Sequence, residues 1–239
     1  MSDPKPRAKR APKSAVATTE TVLVTRYVRA DMTAYGGFRW PESGPVEATD
    51  WKATKQCGNG LHGWSGGKGD ASAWSRKDGD KMLVVEVAKA EIIDLEGKVK
   101  FPRCVVLYCG DAAGMSAFMG ARGYTAGLIG GVATAGSRGT ATAGDGGTAT
   151  AGPRGTATAG PCGTATAGSR GTATAGYGGT ATAGYGGTAT AGSRGTATAW
   201  DGGTATAGDG GTATAGSRGT ATAGFGGTAT AGDGGTATA

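Results

Sequence analysis

The chain has 239 residues, 50 of them glycine, with 18% charged residues and a formal net charge of +6. Roughly one glycine in five residues, against about 7% in ordinary globular proteins, excludes one uniform compact fold and calls for a reading in segments. The longest apolar run falls far short of the roughly 20 residues a membrane helix needs, and no apolar stretch of secretory type follows the basic N-terminus. These features predict a soluble, cytoplasmic protein of a bacterial or phage-infected cell, without a membrane partner.

Residues 1–20 are predicted to be a disordered basic tail. Lys5, Arg7, Lys9, Arg10 and Lys13 stand against Asp3 alone, so the first thirteen residues carry +4. Such a tail would hold nucleic acid weakly by counterion release, or serve only as a solvated leader.

Residues 21–123 read as a small α+β domain, large enough for one core. Thr21–Arg29 is β-branched and strand-like. Met82–Ala88 is a near-continuous apolar run suited to a buried strand. Ile92–Leu95 and Val99–Phe101 bracket a turn at Glu96-Gly97, and Arg103–Cys109 closes the set. Between the first two strands lies a Gly- and Trp-rich stretch without period, read as irregular. Short helices are predicted to start at Asp70–Trp74 and to span Ala112–Ala121.

The chemistry-bearing residues here are sparse. Cys57, Cys104, Cys109 and Cys162 lack the paired spacing of a zinc site, so no metal is expected. Cys57 and His62 form the one close Cys/His pair, suited to a thiol–imidazole dyad or to half a metal site. The plainer reading is a loop in which His62 pins a turn. Neither Gly58-Asn59-Gly60 nor Gly66-Gly67-Lys68-Gly69 fits a phosphate loop. No catalytic residue and no cofactor is assigned, and an enzyme is not the favoured reading.

Residues 124–239 form the third segment. From Gly131 the sequence repeats every eight residues as G-T-A-T-A-G-x-x, with thirteen copies of Thr-Ala-Thr. Alternation puts Thr on one face of each short strand and Ala on the other. Glycine density excludes helix, and glycine at every third residue, as collagen needs, is absent. A β-solenoid of about two octapeptides per coil remains, with two parallel sheets across a thin core. Alanine inward and threonine outward avoids burying unpaired hydroxyls, each costing about 1–3 kcal/mol. The predicted repeat surface therefore includes Thr140, Thr142, Thr148, Thr150, Thr156, Thr158, Thr180, Thr182, Thr188 and Thr190. Tyr177, Tyr185, Trp200 and Phe225 are the candidate interface residues, Tyr177 and Phe225 along one edge and Tyr185 along the other. The two x positions read as freely variable. GTATA at 235–239 stops within a repeat, so an oligomer formed through a solenoid end or face is expected.

The octapeptides at 175–192 (AGYGGTATAGYGGTATAG) resemble those of bacterial ice-nucleation proteins. That resemblance implies a β-solenoid with sixteen-residue coils whose threonine rows order water. The short array and the lack of matching flanking domains weaken the expectation of strong nucleation. Cys57-Gly58-Asn59-Gly60-Leu61-His62-Gly63, followed by the apolar strand, resembles an uncharacterised family of phages and bacteria, and implies no activity. The element order, with Tyr27 and Arg29 on the first strand, is also faintly similar to an ADP-ribosyltransferase-like sheet. That similarity implies nucleotide handling by Tyr27, Arg29, Cys57 and His62. The leading expectation is a non-enzymatic structural or interaction protein that self-associates or presents a repetitive surface. Ice or water ordering stands second, and nucleotide binding third.

Overall fold

The structure, a computed structural model, describes residues 20–71, 77 and 79–239. The basic tail, apart from Glu20, and most of the expected Asp70–Trp74 helix lie outside the described residues.

The N-terminal part is one antiparallel sheet. Its strands are β1 (Thr21–Val28), β2 (Gly44–Glu47), β3 (Leu61–Ser65), β4 (Lys81–Ala88), β5 (Ile93–Asp94), β6 (Val99–Phe101) and β7 (Arg103–Gly110). Their spatial order is β2-β7-β4-β1-β3-β6-β5. Both faces of the central strands are covered, which explains the nearly unbroken apolar run of β4. On one face Val24, Val28, Leu83, Val85 and Phe101 pack with Trp40. On the other, Leu23, Trp64, Met82 and Val84 pack against Met115 and Met119 of helix α1 (Ala112–Gly120). Asp111 caps that helix, its side chain accepting from the Gly114 N–H at 2.7 Å.

β2 and β3 run through the stretch expected to be irregular. β3 contains Gly63, where a Cβ would sit 2.6 Å from the Thr25 carbonyl oxygen. The glycine therefore marks a close strand-to-strand approach, not a turn. β1 pairs with β4 over its whole length, from Thr21 to Val28. With β3 it pairs only at Val24↔Ser65 and Thr25↔Trp64. From Arg26 onward the two strands part, while β3 goes on to pair with β6 through Leu61↔Phe101 and His62↔Lys100.

The repeats form a β-solenoid of about seven turns. Its strands recur every eight residues, from β8 (Val132–Ala135) and β9 (Thr140–Ala143) to β20 (Thr228–Ala231) and β21 (Thr236–Thr238). Alternate strands build two parallel sheets, one from β8 to β20 and one from β9 to β21. Each residue pairs with the one sixteen positions away, as in Thr148↔Thr164 and Ala149↔Ala165. Sixteen residues therefore make one coil. Alanines face inward; Ala149, Ala165, Ala181 and Ala197 have no exposed area.

The corners hold the coils together. After Ala143 and Ala151 the chain turns through Gly-x-x-Gly, and the second x has positive φ whatever its type. Gly146 (61°), Arg154 (59°), Cys162 (54°) and Gly178 (63°) all sit in the left-handed region. Its N–H donates to the corner of the next coil, as Arg154 N–H does to the Ser169 carbonyl at 2.9 Å. The second x is therefore not freely variable: only its side chain is free.

Residues 127–131 join the two parts. The Ile129 N–H donates to the Gly67 carbonyl of the N-terminal sheet at 2.9 Å, and Leu128 O accepts from the Gly144 N–H of the first coil at 3.0 Å. Ser116 Oγ of α1 accepts from the Val132 N–H at 2.7 Å, and the Ala71 N–H donates to Asp145 at 3.3 Å. The small domain thus covers the first coil.

Candidate functional site

The solenoid offers two broad surfaces of one composition. Thr140, Thr142, Thr156, Thr158, Thr188 and Thr190 lie on the face of the β9-to-β21 sheet. Thr148, Thr150, Thr180 and Thr182 lie on the opposite face, on the β8-to-β20 sheet. In-register pairing stacks them in straight rows, about 4.8 Å apart along the axis and about 6.6 Å apart along a strand. The first threonine of most strands is exposed and the second half-buried. No hydrogen bond to protein engages a repeat threonine hydroxyl among the described residues, so these groups are free to bind water.

The edges differ from the faces. Tyr177 and Phe225 project from one edge with Arg194 between them, its guanidinium 5.8 Å from the Tyr177 ring. Tyr185 projects from the other, and Trp200 stands just before the following corner on that side. All four aromatics are at least half exposed. Trp200 takes a position held by glycine in other coils. There the ladder bond from its N–H to the Ala183 carbonyl is 3.2 Å, against 3.0 Å for the Gly192 and Gly216 equivalents.

The N-terminal domain carries a cleft of about 750 Å³ where β1 and β3 part. Tyr27, Cys57 and His62 line it. Arg29 does not; it is exposed beyond the strand end, and Arg26 lines the cleft instead. Strand alternation distinguishes the two arginines only once the register with β4 is known. Trp40, Tyr35 and Lys98, which the sequence reading passed over, also line it.

His62 lies on β3, not in a turn. The Gly60 backbone interacts weakly with the ring, and Nε2 is buried without a partner among the described residues. Burial, and then the charges of Lys98, Arg26 and Lys100, hold its pKa down at about 4. The imidazole is thus neutral at pH 7. Cys57 Sγ accepts from Lys98 Nζ at 3.1 Å, and that bond lowers its pKa below the usual thiol value. Cys57 and His62 belong to one cavity, but the thiol's partner is Lys98.

Lys100 is fully buried. Its Nζ donates to the Gln56 carbonyl at 2.9 Å and the Gly58 carbonyl at 3.3 Å. It thereby pins the loop that carries Cys57. Cys104, crowded in the core, is pushed up to about 12 and is inert as a nucleophile.

Fold and surfaces together define a threonine-faced β-solenoid fused to a small α+β domain with its own cleft. Residues 22–117 match a domain of unknown function (DUF7666). The repeats are similar to ice nucleation proteins. They are 40% identical over 107 residues to one from Pseudomonas syringae, covering 44% of this chain and 9% of that protein. They are 42% identical over 93 residues to ice nucleation protein InaA of Pantoea ananas, covering 38% and 7%. They are 45% identical over 94 residues to one from Xanthomonas campestris pv. translucens, covering 38% and 6%. The chain thus spans less than a tenth of the length of these relatives. No solved structure matches it significantly.

These matches correct one expectation. The cytoplasmic location read from the N-terminus conflicts with the similarity of the repeats to ice nucleation proteins. No helix among the described residues is long and apolar enough to cross a membrane.

Proposed function

We propose that the solenoid is a water-ordering, ice-interacting module. The observation that carries this reading is the double set of in-register threonine rows on two sheets. A β-sandwich only two alanine layers thick is held rigid by its ladders, so the hydroxyls keep fixed spacing. Waters bound to adjacent hydroxyls are placed within hydrogen-bonding range of one another's neighbours, and binding them costs little further ordering. The similarity to proteins named for ice nucleation supports the same reading.

The test replaces Thr156, Thr172, Thr188 and Thr204 by lysine, one row on one face. Retained far-ultraviolet circular dichroism with loss of ice-crystal shaping, or a freezing point returned to that of buffer, is the expected result. Wild-type protein that leaves ice growth and freezing temperature at buffer values overturns the reading.

A second reading, self-association through an edge, rests on exposed Tyr177, Tyr185 and Phe225, since aromatics are enriched at interfaces. Light scattering on a sizing column tests it. A defined oligomer that becomes monomeric on joint replacement of the three by serine supports it; a monomeric wild type rejects it.

A further inference from the structure

The cleft between β1 and β3 is separate from the solenoid faces, and its polar groups are not satisfied by the protein. Three buried side-chain polar atoms lack a hydrogen-bond partner among the described residues: Thr25 Oγ1, Trp40 Nε1 and His62 Nε2. Two of these three residues line this cleft. A native fold keeps few such groups, and each calls for a reason.

Arg26 adds a charge to the same place. Its guanidinium lies 4.2 Å from the Trp40 ring centroid, and among the described residues its side chain makes only a long hydrogen bond, from Nε to the Tyr27 carbonyl at 3.4 Å. No carboxylate pairs with it among the described residues. Crowding lowers its pKa to about 10, which leaves it charged at neutral pH. Of the carboxylates on the cleft wall, Asp50 is committed to its own loop, accepting from the Gly60 N–H at 2.9 Å and from Asn59 at 3.3 Å. Asp70 is held by its backbone, through N–H to the Gly97 carbonyl and through its carbonyl to Trp64 Nε1. An uncompensated, desolvated cation is costly unless an anion joins it.

The unmet groups specify what that anion carries. Arg26 and the Trp40 N–H are donors and call for acceptor oxygens. The Gly60 backbone beside the other ring nitrogen of His62 favours the proton there, so Nε2 presents a lone pair and calls for an O–H or N–H donor. Tyr35, on the cleft wall and 99% exposed, presents a planar face with nothing stacked on it. The volume of about 750 Å³ falls within the range of small-molecule sites.

We propose that this cleft binds a nucleotide, its phosphate on Arg26 and the Trp40 N–H, a sugar or base donor on His62 Nε2, and its ring against Tyr35. The proposal stands whether or not the solenoid binds ice. Cys57, activated by Lys98 on the same wall, reports occupancy, because a bound nucleotide shields it from alkylation.

The test is calorimetric titration of the full chain with ADP, GDP, CDP, UDP and NAD, with adenosine and inorganic pyrophosphate as partial ligands. At least one nucleotide is expected to saturate, to bind at least tenfold more tightly than either partial ligand, and to slow iodoacetamide modification of Cys57. Arg26→Gln should weaken it at least tenfold. Should that variant unfold, Tyr35→Ala, which alters no packed residue, should weaken the nucleotide while leaving pyrophosphate binding unchanged. No saturable heat with any of the five overturns the proposal. So does pyrophosphate binding as tightly as every nucleotide, or a nucleotide affinity untouched by folded Arg26→Gln and Tyr35→Ala.

Discussion

At the scale of single residues, the groups that carry chemistry are those whose surroundings oppose their usual state. His62 is the chain's one histidine, held neutral by burial and by three nearby cations, with a pKa of about 4 when folded against the ordinary 6.5. The unfolded chain therefore binds a proton between pH 6.5 and 4 that the folded chain refuses. Stability from this group is complete above pH 6.5 and declines as pH falls through that window. The ring is only partly enclosed, so after screening the loss is about 1–2 kcal/mol. Urea midpoints at pH 7 and pH 4.5 should differ by that amount more in the wild type than in His62→Gln. The single imidazole resonance should titrate near pH 4, and a midpoint near 6.5 would refute the account. Lys100 makes a second case. Lys100→Met leaves the Gln56 and Gly58 carbonyls without their donor and should cost about 2–4 kcal/mol in urea denaturation. Neither environment was legible beforehand, because a strand that pairs on one side and parts on the other leaves no periodic mark.

At the scale of elements, the solenoid was legible and the N-terminal sheet only partly so. A strict period fixes strand, corner and coil together, since one octapeptide's solution must serve all the others. β2 and β3 were hidden because they lie in a Gly- and Trp-rich stretch that shows no period, although Gly63 is small so that β3 can approach Thr25. The corner shows a subtler limit. Variation at the second x position looked unconstrained, yet arginine and cysteine there adopt a backbone conformation that suits glycine. A left-handed non-glycine residue costs roughly 1–2 kcal/mol, offset in part by glycine's larger unfolded-state entropy of about 0.5–1 kcal/mol. Arg170→Gly should therefore raise the solenoid's stability by up to about 1 kcal/mol, and Gly178→Ala should lower it by a similar amount. Thermal melts of the two variants check both signs. Trp200→Gly should also stabilise, by closing the stretched bond to Ala183. A lower melting temperature for Arg170→Gly would show that the arginine side chains contribute more than their backbone costs.

At the scale of the whole molecule, the question is whether domain and solenoid unfold together. A solenoid's stability is close to a sum of neighbour interfaces, and a thin alanine core makes each term small. The first coil is therefore held in large part by what covers it. Leu128 and Ile129 are nearly fully buried in the α1 side of the domain core, while the backbone of 127–130 bonds to the first coil through Thr142 O, Gly144 N and Asp145 O. The same four-residue segment is thus part of both structures, and neither can lose it alone. The wild type should show one calorimetric transition, with tryptophan fluorescence and far-ultraviolet dichroism changing together. Ile129→Asp places an unpaired charge among Met115, Met119 and Val84, which removes the shared anchor. Two separated transitions are expected, the domain melting first and the ladders later. A single transition merely shifted to lower temperature would mean that coupling runs through Ser116–Val132 and Ala71–Asp145, in which case Ser116→Ala combined with Asp145→Ala should produce the split instead.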